Sequence, residues 1–382
     1  MKILFISTMA GARWGGSEEL WLKAADYAIE KGHTVVASVY DWGHLHPKLV
    51  DLKEKGAKID LRKKIFYGTS LVQRIKGFVI KKMFSASEIV KLKKNNPDVI
   101  VISQGTVYEC MFPEFLDLME STKAKTIIIT QANSEYETLP AICFETGRKI
   151  FKNASQLYFV SKRNAEVAER QLVMKFNNST VVSNPANLSN YGVCNWNESE
   201  SVNFAFVGRL ISAVKGLGVL LQILGEEEWQ ARNWKLNFYG TGEDEVYLKE
   251  LVKLYQLDSK VVFHGFVSDI KKVWEQNHVL LMPSTLEGTP LSLIEAILCG
   301  RTAVVSDVGG NAELIEDGIS GFVAEAPSVN SFGKAMERMW GRKDELKILG
   351  VYANETSKNK VCLNSHEIIL DLISKSCFYE NR

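Results

Sequence analysis

Glu287 and Glu295 are separated by seven residues and bracket what reads as the start of a helix in this 382-residue chain. Val279 to Gly300 has the pattern strand, tight loop, helix, with Gly300 as the C-terminal stop. Thr289 reads as the N-cap and Pro290 as the first helical residue, where its missing N–H costs nothing. After Gly288 and this Thr-Pro pair, the amides of Leu291 and Ser292 are free to face an anion, assisted by the helix dipole. Glu295 lies about 9 Å along the helix from that cap at ~1.5 Å per residue. That is about the reach from a bound phosphate to the ribose of the same nucleotide, whose two hydroxyls a carboxylate can accept. Glu287, before the helix, would face a sugar carried by that nucleotide. The plain alternative is a solvated glutamate and a buried one that has found a partner, since lone buried carboxylates are costly.

Other loops add groups of the same kind. Gly208-Arg209 ends a strand-like run and is followed by Lys215-Gly216. Arginine offers a planar fork of donors and lysine a point charge, a sensible pair for a diphosphate that gains charge as it leaves. Gly240-Thr-Gly242 closes another strand but lacks a full glycine fingerprint. Phe266 and Val267, after His264-Gly265, could set backbone groups against a base, and Gly309-Gly310 allows close approach of the backbone. Near the N-terminus, Trp14-Gly15-Gly16-Ser17-Glu18 follows the first strand and opens a helix, so it too can meet a phosphate.

Strands alternating with helices must hold these loops. In the first half, strand-like runs fall at 2–7, 34–39, 98–102, 126–130 and 157–160, with helical periodicity at 17–31, 71–84, 141–151 and 162–172. The Asn- and Ser-rich stretch 184–201 interrupts this and reads as a linker between a domain over 1–183 and another over 202–360. The alternation resumes with strands at 204–207, 236–239, 261–264, 279–282, 302–306 and 321–323. Helices fall at 217–224, 244–255, 270–276, 290–298 and 312–317. A terminal helix over about 361–382 is expected to pack back on the first domain. Two doubly wound parallel sheets facing across a cleft are the fold expected, with ligands outside the carboxyl ends of the strands.

Net charge is +1, with 46 basic and 45 acidic residues, which argues against a general nucleic-acid binder. The six cysteines (Cys110, Cys143, Cys194, Cys299, Cys362, Cys377) form no C-x-x-C pair, so neither zinc nor a disulfide framework is expected. A reducing, cytoplasmic setting fits. The first apolar run is too brief for a signal peptide, and no run approaches a membrane span. Residues 61–96 hold ten Lys or Arg against the single acid Glu88. Within 71–84, Val72, Ile75, Val79 and Met83 form an apolar stripe beside Arg74, Lys76, Lys81 and Lys82, so this helix either docks on an anionic membrane surface or packs on the sheet.

Glu287-x7-Glu295, with Gly208-Arg209-Leu210, Lys215-Gly216, Gly309-Gly310, Glu313 and the Gly15-Gly16 loop, resembles the retaining family 4 glycosyltransferases. The match covers nearly the whole chain and is strongest over 204–323. The resemblance implies a GT-B architecture and a nucleotide diphosphate sugar, UDP- or GDP-linked, as co-substrate. No cofactor or metal is implied, in keeping with the lack of any D-x-D. It places Arg209 and Lys215 on the diphosphate, Glu295 on the ribose, Glu287 on the transferred sugar and Gly16 on the phosphate. Retention would follow from same-face attack, the acceptor being a glycan or lipid-linked glycan. Many relatives carry His where this chain has Gln104 and, before Asn133, Gln131; these three mark the acceptor side, although Gln cannot act as a general base. The competing readings are a nucleotide-sugar-binding module without turnover and an epimerase or phosphorylase of the same fold.

Overall fold

A computed structural model describes residues 1–63, 88, 91–106, 109–136, 138, 139, 141–186, 192–358 and 360–378. The helix expected over 71–84, with its apolar stripe and its membrane-docking role, lies outside the described residues.

The chain divides into two compact units, Met1–Pro185 with Asn364–Arg382, and Ala186–Leu363. The first is built on β1 (Lys2–Ser7), β2 (Thr34–Tyr40), β3 (Lys58–Arg62), β4 (Val99–Thr106), β5 (Lys125–Ala132), β6 (Gln156–Phe159) and β7 (Ser179–Val181). They form one parallel sheet in the order β3-β2-β1-β4-β5-β6-β7. Side chains alternate between its faces. Ile3, Phe5, Val99, Val101, Ile127 and Ile129 pack on helix Ser17–Glu30 and on Ile369, Leu370 and Ile373 of helix Ser365–Phe378. Leu4, Ile6, Ile100, Ile102 and Ile128 meet Phe115, Leu118, Ile150 and Phe151 on the other side. Two-sided burial explains the near-continuous apolar strands.

Several elements exceed the sequence pattern. β3 and β7 lie at the sheet edges, where Lys58-Ile59-Asp60-Leu61-Arg62 and Ser179-Thr180-Val181 need only half-burial and show no apolar run. Helices Pro47–Glu54 and Pro113–Glu120 are too short to display much periodicity. β4 and β5 run on past their apolar stretches into Ser103–Thr106 and Gln131–Ala132, so polar side chains gather at their carboxyl ends.

The second unit holds β8 (Val202–Val207), β9 (Trp234–Tyr239), β10 (Val261–Gly265), β11 (Val279–Met282), β12 (Thr302–Ser306) and β13 (Phe322–Ala324). This sheet is also parallel, in the order β10-β9-β8-β11-β12-β13. Residues 192–201, expected as free linker, are bound to this unit. The Cys194 amide donates to the Cys299 carbonyl at 3.0 Å, and Trp196 stacks on His278 at 4.8 Å. The reason is Arg301. Its guanidinium is fully buried and donates to the carbonyls of Trp274, Asn277, Cys299, Gly300 and Asn195, so the segment supplies an acceptor a buried cation requires. Among the described residues no helix is long and apolar enough to cross a membrane.

Candidate donor and acceptor sites

In the second unit the loops at the carboxyl ends of the strands are tied to one another. After β8 the Gly208 amide donates to the Tyr239 carbonyl at 2.9 Å, and Leu210 to Thr241 at 3.0 Å. The Asp244 amide returns to the Leu210 carbonyl at 3.1 Å, while the Asp244 carboxylate accepts the Ser212 amide at 2.6 Å. Thr285, in the loop after β11, donates its amide to Val214 and its hydroxyl to Ala213, both at 2.9 Å. These bonds fix the turn Ser212–Lys215 and the Gly216 that follows it. Gly216 has φ +66°, and a Cβ there would lie 2.0 Å from the Pro283 carbonyl oxygen, so only glycine lets the two loops touch.

The result is a contact between two residues 72 apart in sequence. Lys215 Nζ lies 2.6 Å from Glu287 Oε1, with the lysine side chain 21% and the glutamate 7% exposed. Behind Glu287, the Gly310 amide donates to the Gly288 carbonyl at 2.6 Å. Gly309 has φ +54°, and a Cβ there would sit 2.3 Å from the Glu287 carbonyl oxygen. The Glu287–Gly288 turn is therefore clamped between the cation and the glycine pair.

Helix Leu291–Leu298 starts one residue later than expected. Pro290, extended at ψ 131°, is the N-cap itself, and Thr289 precedes it. This corrects the assignment of Thr289 as cap and Pro290 as first helical residue. Proline has no side-chain acceptor, so it leaves the first-turn amides uncapped by its own side chain. Glu295 is buried in the row Leu293–Leu298, and Gly300 closes the helix at φ +72° as read from the sequence. Ser292 is half-buried, its hydroxyl 4.0 Å from the Met282 sulfur. Arg209 is exposed. Gly240 donates its amide to the Gly265 carbonyl at 2.7 Å, and Gly242 packs its Cα against the Leu210 backbone. Phe266 is 80% exposed, a free aromatic face, while Val267 is half-buried against the core. Nearby, His264 stacks on Tyr239 at 4.5 Å, and burial lowers its pKa.

In the first unit, Gly15 and Gly16 form the turn into helix Ser17–Glu30, with Gly16 as N-cap and amides from Glu18 and Glu19 closing on the Gly15 and Gly16 carbonyls. Both glutamates are buried. Glu19 takes Lys48 at 2.6 Å and Trp14 Nε1 at 2.8 Å, and burial pushes the Glu18 carboxyl up to about 7, against the opposing bond to Ser7. Gln104 is turned away from this side of the sheet. Its amide donates to Thr130 Oγ1 at 3.1 Å and its oxygen accepts the Cys110 amide at 3.0 Å, so both ends serve the fold. Gln131 and Asn133 behave differently: Gln131 Nε2 and both polar atoms of Asn133 are buried without a partner. No group of three or more His, Cys, Asp or Glu suited to a metal occurs among the described residues.

Asp244 and Glu109 escaped the sequence reading. The first was detectable as the acid closing the Gly240-x-Gly242 turn; the second sits in a loop with no pattern of its own.

Residues 201–342 match the family described as glycosyl transferases group 1. An uncharacterized glycosyltransferase of Haemophilus influenzae is 28% identical over 47% of this chain and 50% of its own length. The lipopolysaccharide 1,6-galactosyltransferase of Escherichia coli K12 is 26% identical over 51% of this chain and 56% of its own. The chain thus spans about half the length of these curated relatives. Among solved structures, Anabaena Alr3699/HepE in complex with UDP and glucose has a TM-score of 0.73 at 15% identity, covering 98% of this chain and 99% of that one. Sucrose-phosphate synthase from Thermosynechococcus elongatus gives 0.74 at 15% identity, covering 100% of both chains.

Proposed function

We propose, from the match of residues 201–342 to the group 1 glycosyl transferases and the GT-B fold of the chain, that it moves a hexose-type sugar from a UDP- or GDP-sugar to a glycan or lipid-linked acceptor. The acceptor oxygen forms a bond to the anomeric carbon as the bond from that carbon to the diphosphate breaks. The electron pair leaves with the diphosphate, one of whose oxygens takes the acceptor proton on the same face, so the configuration is retained.

The observation that carries this reading is Lys215 held 2.6 Å from Glu287, next to the start of helix Leu291–Leu298. A diphosphate on the Leu291 and Ser292 amides would draw Lys215 partly off Glu287. That frees the carboxylate to accept hydroxyls of the sugar, while Lys215 and Arg209 stabilise the leaving charge without a metal. Glu295, about one turn further along the helix, takes the ribose diol. The UDP in the Anabaena complex supports a uridine donor, and the galactosyltransferase relative supports a role in lipopolysaccharide-type synthesis.

A thermal-shift panel of nucleotide sugars tests this. Binding stabilises by RT ln(1 + [L]/Kd), about 2.7 kcal/mol at 100 Kd, so the cognate donor raises Tm and is then consumed with release of nucleoside diphosphate. A donor that binds without turnover leaves only a binding module; no shift with any nucleotide sugar removes the proposal.

A further inference from the structure

Two cysteines far apart in sequence meet where the segment 192–201 lies on the end of helix Leu291–Leu298. Cys299 is the C-cap of that helix, and its carbonyl accepts the Cys194 amide at 3.0 Å. Such a backbone bond sets two Cα atoms roughly 5–6 Å apart, inside the ~4.4–6.8 Å that a disulfide spans. Gly300 permits the approach, since a Cβ there would lie 2.8 Å from Val193 Cγ1. Both cysteines pack in one apolar cluster with Ala296, Ile297 and Ala353. Their thiols are in hydrogen-bond contact, Cys299 donating to the Cys194 sulfur.

The surroundings make the two sulfurs unequal. The Arg301 guanidinium donates to the carbonyls of Cys299 and of Asn195, the neighbour of Cys194, so a buried cation stands beside the pair. The hydrogen bond from Cys299 holds the Cys194 thiol below its ordinary range; burial opposes this and the Arg301 charge adds to it. The same bond and burial push Cys299 up. Access differs in the same sense. Cys299 is 1% exposed and Cys194 5%, but Cys194 is flanked by the exposed Gly192, Val193 and Asn195 and so lies one residue beneath the surface. One cysteine is placed to attack an oxidant and the other to resolve the product.

We propose that Cys194 and Cys299 form a reversible intrachain disulfide with a peroxide as oxidant, a covalent latch fastening 192–201 to the end of helix Leu291–Leu298. The Cys194 thiolate attacks one peroxide oxygen and the O–O bond breaks. Its electron pair leaves as hydroxide, which takes the proton Cys194 gave up, and Cys194 becomes a sulfenic acid. The Cys299 sulfur then attacks the Cys194 sulfur, the S–O bond breaks, and the oxygen leaves as water with the Cys299 proton. The two sulfurs lose two electrons, and one peroxide becomes two waters. A dithiol reverses the bridge by exchange. The closed loop is roughly 100 residues long, a length at which a cross-link strongly restricts the unfolded chain. The latch lies within the second unit and is independent of sugar transfer.

The test treats the reduced protein with hydrogen peroxide as wild type, Cys194→Ser, Cys299→Ser and, for control, Cys362→Ser. Intact mass and peptide mapping follow, with Tm taken before, after, and again after dithiothreitol. Wild type and Cys362→Ser are expected to lose the mass of two hydrogens and to yield the Cys194–Cys299 cross-linked peptide. Their Tm should rise by ~5–10 °C and fall back on reduction, and cleavage near Trp196 should slow. Cys194→Ser and Cys299→Ser, each compared with its own reduced form, should show no rise; the wild-type peptide map decides even where a serine variant does not fold. Absence of the Cys194–Cys299 peptide from oxidised wild type overturns the inference, as does a Tm rise that survives Cys194→Ser. A bridge formed without any rise in Tm overturns the latch.

Discussion

Replacing Lys215 by alanine separates two roles that its contact with Glu287 combines. If its ammonium acts at about 4 Å from a diphosphate that gains charge on leaving, an effective dielectric of ~20 makes the interaction worth about 4 kcal/mol. Losing it in the transition state lowers kcat by about 10³-fold at ~1.36 kcal/mol per decade. The same substitution strands Glu287, which is 7% exposed and clamped by Gly309 and Gly310, as an unpaired carboxylate. Lys215 is itself partly exposed, so the stability loss sits below the 3–5 kcal/mol of a fully buried pair, at about 2 kcal/mol, or some 4–8 °C in Tm for a unit of this size. Glu287→Gln added to Lys215→Ala removes the stranded charge. Tm should then recover while kcat stays about 10³-fold down, measured by nucleoside diphosphate release at saturating donor. Recovery of kcat together with Tm would mean that Lys215 serves only to neutralise Glu287, and the leaving-group assignment would be wrong.

Three further outcomes are expected. Glu295→Ala should weaken donor binding by about 10–100-fold, equivalent to ~1.5–3 kcal/mol for charge-assisted bonds to a diol, with little change in kcat at saturation; calorimetric titration with the nucleoside diphosphate reads it directly. Burial raises Glu18 from 4.5 to about 7, so between those values the folded chain binds a proton the unfolded chain has lost. Its contribution is therefore full below pH 4.5, falls as pH rises to about 7 and is flat above; ~1.36 kcal/mol per unit makes the fall about 3 kcal/mol, and Glu18→Gln should abolish it in denaturant titrations from pH 5 to 8. Arg301→Lys keeps the charge but loses the fork that reaches five carbonyls, so it should lower stability by about 3 kcal/mol and loosen 192–201 to proteolysis, seen as cleavage near Trp196.

The fold was largely readable because both sheets are parallel and covered on both faces. β1, β11 and β12 stand out as unbroken apolar runs, whereas β3 and β7 do not, being edge strands half open to solvent. The loops proposed to hold the donor stood out for a different reason: their glycines, cations and glutamates fall at set spacings from a helix start, and the sequence reports spacing. Thr289 was misplaced because threonine is the better N-cap in isolation; the loop clamped by Gly288 and Gly310 instead holds Pro290 extended at that position. Gln104 and Gln131 differ through strand alternation at the very end of β4 and β5, where a sequence pattern no longer fixes which face is polar. Glu109 acquires its place only when Gly105 and Thr8 converge on it from separate strands.

A crystal structure of the protein with UDP or GDP bound examines the donor site directly. The account predicts the diphosphate on the Leu291 and Ser292 amides, Lys215 Nζ drawn from Glu287 toward a phosphate oxygen, and the ribose hydroxyls on Glu295. A nucleotide seated elsewhere, with Lys215 still paired to Glu287 and Glu295 untouched, would contradict it.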